Sequence, residues 1–450
     1  MTASSPPLSG WQLARFSAIS LPAYAATLPL AVNLPAIFAR DFGLSLGTIG
    51  VVFLAGSLWG ALLDPLIGAL SDRTRSRFGR RKPWIAGGSL LFTVSAFFLF
   101  FPPATVTAAY LAVVLFAFHL GWTAVQIPFL AWSGEISGQY HQRTRIATYQ
   151  TVVASASLFV TLLLPTIADQ LHPGDGRLQM ALMGGLVLAS ALPAVALSLT
   201  TFREAPPLDV PEPFSLRQSL AAVFANPLLL RVLASDFAVT LGQTIRSSLI
   251  VFFVTFYMGR PDWAVGLFLF QFVFGILAGP IWLRIGLKLG KNRTAVLGES
   301  VQVVINLGLL LLTPDRFGLL LALTLAQGLA QGSGNLMLRS IVADVADKHR
   351  LETGEERTGL YFSVFALAGK SAGAAAIGIA LPLVGWLGFD PKAANSPEAL
   401  EGLLYVFALG PALAHAVSAA LLARFPLDEA AHSEIRRRLD NAPAVLVPAE

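Results

Sequence analysis

The sequence predicts an all-α membrane protein with twelve transmembrane helices in two pseudo-symmetric halves of six. Three observations carry this. Of 450 residues, 55% are hydrophobic and only 13% charged, against about 25% charged in a soluble domain. Apolar blocks near the ~20 residues needed to cross hydrocarbon recur along the whole chain. The basic residues gather in alternate short loops. A soluble chain of this length would form about three domains, and too few charges exist here to cover their surfaces. The net charge of +5 therefore reads as membrane topology rather than nucleic-acid binding. There are no cysteines, which excludes disulfides, thiol nucleophiles and Cys-based metal sites.

The spans follow in order. Residues 1–12 are polar, and the apolar block after them reaches Ala39. That exceeds the ~7–15 residues of a signal-peptide core, so the first span is an uncleaved helix over 13–39. The second, 46–71, ends in DPLIGALSD and enters the loop SDRTRSRFGRRKP (71–83), with six basic residues against one acid. The third (84–102) and fourth (106–134) are joined by a short uncharged loop, and the fifth (146–168) and sixth (180–201) complete a first half, 1–201. Residues 202–227 hold five prolines and read as a cytoplasmic linker, with a short amphipathic helix near Ser215–Ala225. The seventh span is 228–258 and the eighth 262–285, followed by Lys288, Lys291 and Arg293. That basic stretch falls where the first half has its basic loop, so the two halves are an internal repeat. The ninth (294–313), tenth (317–345), eleventh (358–388) and twelfth (402–425) complete the second half, 228–425. The tail, 426–450, is expected to be solvated and partly disordered. Helices are the default because backbone groups in lipid must be satisfied internally, and no ~10-residue alternating segments of a β-barrel appear. The loops near 101–106, 259–262 and 314–317 carry almost no net positive charge. Both termini are then expected in the cytoplasm, the chain lying in the inner or plasma membrane. Two six-helix halves joined by a cytoplasmic linker suit a rocking transporter with its site between the halves.

Several residues stand out within the spans. Asp64 lies about seven residues from the end of the second span, roughly 10 Å into the membrane, where an ionised carboxylate needs a partner or a proton. Lys370 sits about twelve residues into the eleventh span, too deep to snorkel easily. Arg246, mid-way along the seventh, offers a fork for a carboxylate or phosphate or pairs structurally with Asp236 or another acid. Tyr24, Asn33, Trp59, Trp122, Gln126 and Trp132 supply the aromatic faces and amides that sugar binding needs. Trp11, Trp84 and Trp263 sit at span edges as interfacial anchors. His119 is read as a packing residue, with proton relay as the alternative. Asp72, at a helix C-terminus where an acid opposes the macrodipole, is expected to find Arg73, Arg80 or Arg81, or the start of the eleventh span, and so to act as a gate.

These residues also carry a resemblance. Gly68-Ala-Leu-Ser-Asp72-Arg73 followed by Gly79-Arg80-Arg81 resembles the loop signature of the major facilitator superfamily. The longer run from Asp64-Pro65 to Pro83-Trp84 is similar to the glycoside–pentoside–hexuronide:cation symporter family. So are Ala343-Asp344-Val-Ala-Asp347 with Thr353-Gly354-Glu-Glu-Arg357-Thr-Gly359 and Lys370, and Gln126-Ile-Pro128-Phe129 with Gly134-Glu135 and Arg143-Thr144. The resemblance implies the major facilitator fold and places Lys370 across the cavity from the cation site. It also marks departures. Gly60 stands where sodium-coupled members carry a second carboxylate, one turn from Asp64. Gln126 stands where they carry a sugar-binding Asp, and Gln150 where they carry an Arg.

A sodium site without the second acid loses charge and an oxygen ligand, whereas a proton needs one carboxylate. The expected function is cation-coupled, proton rather than sodium, secondary transport of a sugar, glycoside or related polar solute by a monomer. The alternatives are a lysolipid-like or anionic solute on the same fold, or a non-transporting membrane assembly or sensor protein. No nucleophile constellation, phosphate loop or ATP motif is visible, so an enzyme or ATP-driven pump is not expected, nor is a metal or organic cofactor.

Overall fold

The structure, a computed structural model, describes residues 8–136, 140–172, 175–204, 221, 223–331, 333–354 and 357–441. Among these the secondary structure is helical throughout. Eleven helices are long and apolar enough to cross a membrane. Side-chain caps fix where many of them begin: Ser45 accepts from the amide of Thr48, Thr107 from Tyr110, Asp175 from Leu178, Asn226 from Leu229 and Ser396 from Ala399. Each satisfies an amide that the first turn leaves unpaired.

Two spans depart from the simple reading. The first is a chain of short pieces: Gly10–Ser17, Ser20–Leu28, a π-helical turn at Pro29–Asn33, and Leu34–Arg40. The tenth is not one helix over 317–345. It is broken into Phe317–Ala330 and Ser333–Thr353, with extended backbone at Gln331 between them. Just before the break the tenth span packs tightly on the eighth (Gly266–Leu289): a Cβ at Gly328 would fall 2.6 Å from the Gln271 carbonyl. The tail also differs from the expectation of a solvated segment. Residues Glu429–Asn441 form a helix that packs on Ser333–Thr353, with Ile435 buried and His432 Nε2 3.0 Å from Asp347 Oδ2. The expected linker helix near 215–225 falls largely on residues outside those described.

The halves meet through the second span (Leu46–Arg73) against the eleventh (Thr358–Trp386), the fifth (Tyr140–Leu171) against the eighth, and the first against the seventh (Pro227–Phe252). At the end opposite the basic loops they interlock. A Cβ at Gly50 would fall 2.7 Å from Pro382 Cδ, and one at Gly378 2.7 Å from Leu54 Cδ2. Gln170 Nε2 donates to the Asp262 carbonyl at 2.9 Å, and Lys392 Nζ to the Gly43 carbonyl. The apolar core shows the same asymmetry. One buried cluster at this end contains residues of both halves, from Val32 and Phe53 to Leu381 and Phe407. At the basic-loop end there are two clusters, one around Phe16 and Trp132 in the first half and one around Val345 and Tyr361 in the second. Among the described residues the halves thus share one apolar core at one end, while at the other each half keeps a core of its own.

Candidate functional site

Asp64 of the second span and Lys370 of the eleventh meet between the halves. Lys370 Nζ donates to Asp64 Oδ2, and Thr123 Oγ1 of the fourth span (Ala108–Glu135) donates to Asp64 Oδ1 at 3.2 Å. The Lys370 side chain is 42% exposed and that of Asp64 18%. A pair so wet contributes only about 0–1 kcal/mol, so the apolar cluster shared by both halves, not this contact, holds the halves together. The pair can therefore open and close with little effect on folding, which suits a moving part.

His119 lies beside it. The second span turns Gly56 and Gly60 toward the imidazole, and a Cβ at Gly60 would sit 3.1 Å from His119 Nδ1. The ring thus fills the space into which a side chain at position 60 would project. His119, Thr123 and Gln126 fall on one helical face at spacings of four and three, which is the signal that could have drawn Thr123 into the site from sequence.

The other candidates are placed as follows. Trp122 Nε1 donates to Gln126 Oε1 at 2.5 Å. Both line a small cavity with Pro22, Ala23 and Ser89, enclosed by spans of the first half rather than lying between the halves. Trp59 is partly exposed and stacks loosely on Phe116, and Tyr24 is partly exposed. Asn33 is buried in the π-helical turn and lines a second small cavity with Arg40 and Gln179, toward the closed end. Trp132 is buried against Phe16 in the core of the first half. Arg246 is buried within the second half: its Nη1 donates to Asn306 Oδ1 at 3.1 Å, and the guanidinium lies over the Phe407 ring. Asp236, weighed as its partner, instead faces Gly369 of the eleventh span.

At the gate, Arg81 Nη1 donates to Ser71 Oγ at 2.9 Å, Arg73 is exposed, and Asp72 stands in the last turn of the second span with its side chain outside those described. Sequence reasoning missed Glu204. Its Oε1 accepts from the amides of Arg80 and Arg81 at 2.9 and 2.8 Å, and its Oε2 from that of Lys82 at 3.3 Å. An acid on the first amides of the third span (Lys82–Phe100) satisfies orphan donors and complements the helix dipole. Gly79, at φ +106°, makes the turn, and a side chain there would collide with the Glu204 carboxylate. In the second half the segment after the twelfth span makes the corresponding tie, Asn292 Nδ2 donating to the Leu427 carbonyl at 2.8 Å, and Lys291 Nζ lies 2.7 Å from each carboxylate oxygen of Asp344.

Residues 15–429 match the MFS/sugar transport protein family. The inner membrane symporter YicJ of Escherichia coli (strain K12) is 26% identical, with 85% of this chain and 84% of that protein aligned. The uncharacterized symporter sll1374 of Synechocystis sp. is 24% identical over 88% of this chain and 90% of that one. The crystal structure of the nucleoside transporter NupG superposes with a TM-score of 0.67 over 93% of this chain and 99% of that one, at 13% identity, a likeness of fold. With apolar helical spans along the described residues and this match over nearly the whole chain, the protein belongs to the MFS/sugar transport protein family and is a multi-pass membrane transporter.

Proposed function

We propose that the protein is a proton-coupled symporter of a sugar or glycoside, working as a monomer in the inner or plasma membrane with both termini in the cytoplasm. Asp64 is the coupling carboxylate and Lys370 its counter-charge. The carrying observation is His119 against Gly60. Asp64 stands as a single carboxylate with a neutral hydroxyl, Thr123, and a cation, Lys370, at its two oxygens, and the neighbouring volume is taken by an imidazole. That set offers a sodium ion too few anionic oxygens and offers a proton one good site. A proton taken by Asp64 removes the charge that holds Lys370 and releases this one contact between the second and eleventh spans. Gln126, Trp122, Trp59, Tyr24, Asn33 and Arg246 are the groups proposed to meet the solute, Arg246 from the seventh span with its guanidinium held by Asn306. Asp72, Arg73, Arg80 and Arg81 are the proposed gate on the cytoplasmic side.

The test is uptake of labelled glycosides into proteoliposomes under an imposed pH gradient or an imposed sodium gradient. Uptake should follow the pH gradient and be indifferent to sodium. Uptake that needs sodium at fixed pH overturns the proton assignment.

A further inference from the structure

We propose that Glu299 and His415 form a second proton-binding site, sealed inside the C-terminal half and independent of Asp64. Glu299 lies in the ninth span (Lys291–Gly308) and His415 in the twelfth (Pro397–Leu422). His415 Nδ1 is 2.6 Å from Glu299 Oε2, and the side chains are 1% and 2% exposed. They are as enclosed as Asp64 and Lys370 are open.

Three features make this pair a proton site rather than an inert packing contact. First, an ionised carboxylate this deep needs compensation, and the fold supplies it from two directions. His415 donates through Nδ1. The other oxygen, Oε1, lies against Gly334 in the first turn of Ser333–Thr353, so closely that a Cβ at Gly334 would collide with it. That turn exists because the tenth span is broken there, and a helix start favours negative charge. Second, when Nδ1 carries the hydrogen toward Glu299, Nε2 holds a bare lone pair. It is buried with no hydrogen-bond partner among the described residues. A proton that binds there turns a pair of net charge −1 into one of net charge zero, imidazolium beside carboxylate or imidazole beside carboxylic acid. Third, the nearby cations are engaged elsewhere. Asp236 of the seventh span is the neighbouring acid. Arg246 is engaged with Asn306, Lys370 with Asp64, and Asp344 with Lys291.

The broken tenth span is the element this site biases. With the pair anionic, the carboxylate anchors the start of Ser333–Thr353 against the ninth span. With the pair neutral, that electrostatic anchor weakens while the packing of Gly298 on Ser333 remains.

The test is pH-difference infrared spectroscopy of the full chain in lipid vesicles, swept across the imidazole range. The unaltered protein should give a coupled imidazole and carboxyl signal. Asp64→Asn should keep it, which separates this site from the coupling carboxylate. His415→Asn, which retains an amide donor for Glu299, should lose the imidazole component, and Glu299→Gln should lose the carboxyl component. If Glu299→Gln does not fold, His415→Asn decides alone. A spectrum of His415→Asn identical to that of the unaltered protein, or a signal that vanishes in Asp64→Asn, overturns the proposal.

Discussion

Asp64–Lys370 and Glu299–His415 set the same chemistry, a carboxylate facing a base, in opposite surroundings. The first joins the two halves and is partly wet; the second joins the ninth and twelfth spans of one half and is dry. The difference teaches what exposure does to a buried charge. A partly wet pair between the halves exchanges protons with water and can be broken by motion without endangering the fold. A pair within one rigid bundle survives rocking intact, and its charge state is felt only by the elements that touch it.

Three experiments break or sharpen this contrast. The largest effect is on transport. Asp64→Asn should reduce concentrative uptake to background and leave downhill exchange, because a permanently neutral residue mimics the protonated state. Retained accumulation in vesicles would remove Asp64 from coupling. The second effect is on stability. His415→Leu strands a buried carboxylate and should cost about 3–5 kcal/mol. Lys370→Leu strands an acid that water reaches and should cost about 0–1 kcal/mol. Thermal unfolding in one detergent compares them, and equal shifts would show that exposure does not separate the two pairs. In the same assay a double-mutant cycle of Asp64→Asn with Lys370→Gln should return a coupling below about 1 kcal/mol. The smallest effect is at the gate. Glu204→Gln keeps the acceptor and loses the charge, so it should weaken the cap by about 0.5–2 kcal/mol. Hydrogen exchange at the amides of Arg80, Arg81 and Lys82 should quicken while coupling is unchanged; unchanged exchange would show that the cap does not hold this loop.

The spans were readable because length and apolarity decide them locally. The break in the tenth was not, because Gln331, where the backbone turns extended, looks like any polar residue. The positions of Asp64 and Lys370 could be read from depth alone, since charges are rare at that level. The neighbour of Gly60 could not, because a missing side chain says nothing about what fills its place. Glu204 escaped notice as one acid in a proline-rich joint. Glu299 and His415 escaped because they lie 116 residues apart, in the ninth and twelfth spans, and neither alone shows its partner. Arg246 was sought with an acid and was found with an amide, Asn306, which no charge pattern reveals.

A carrier whose empty form rests with one side sealed answers differently to solute from its two sides. Opening the sealed side must separate Gly50 from Pro382 and Gly378 from Leu54 and wet the apolar cluster around them. Only a small fraction of empty molecules then presents the site on that side at any moment. Solute arriving there sees its intrinsic dissociation constant divided by that fraction, while solute from the other side sees it nearly undiluted. Sidedness is in this way written into a contact that solute never touches. Filling Gly378 with alanine would move the half-saturation concentration on one face of the membrane and leave the other nearly where it was.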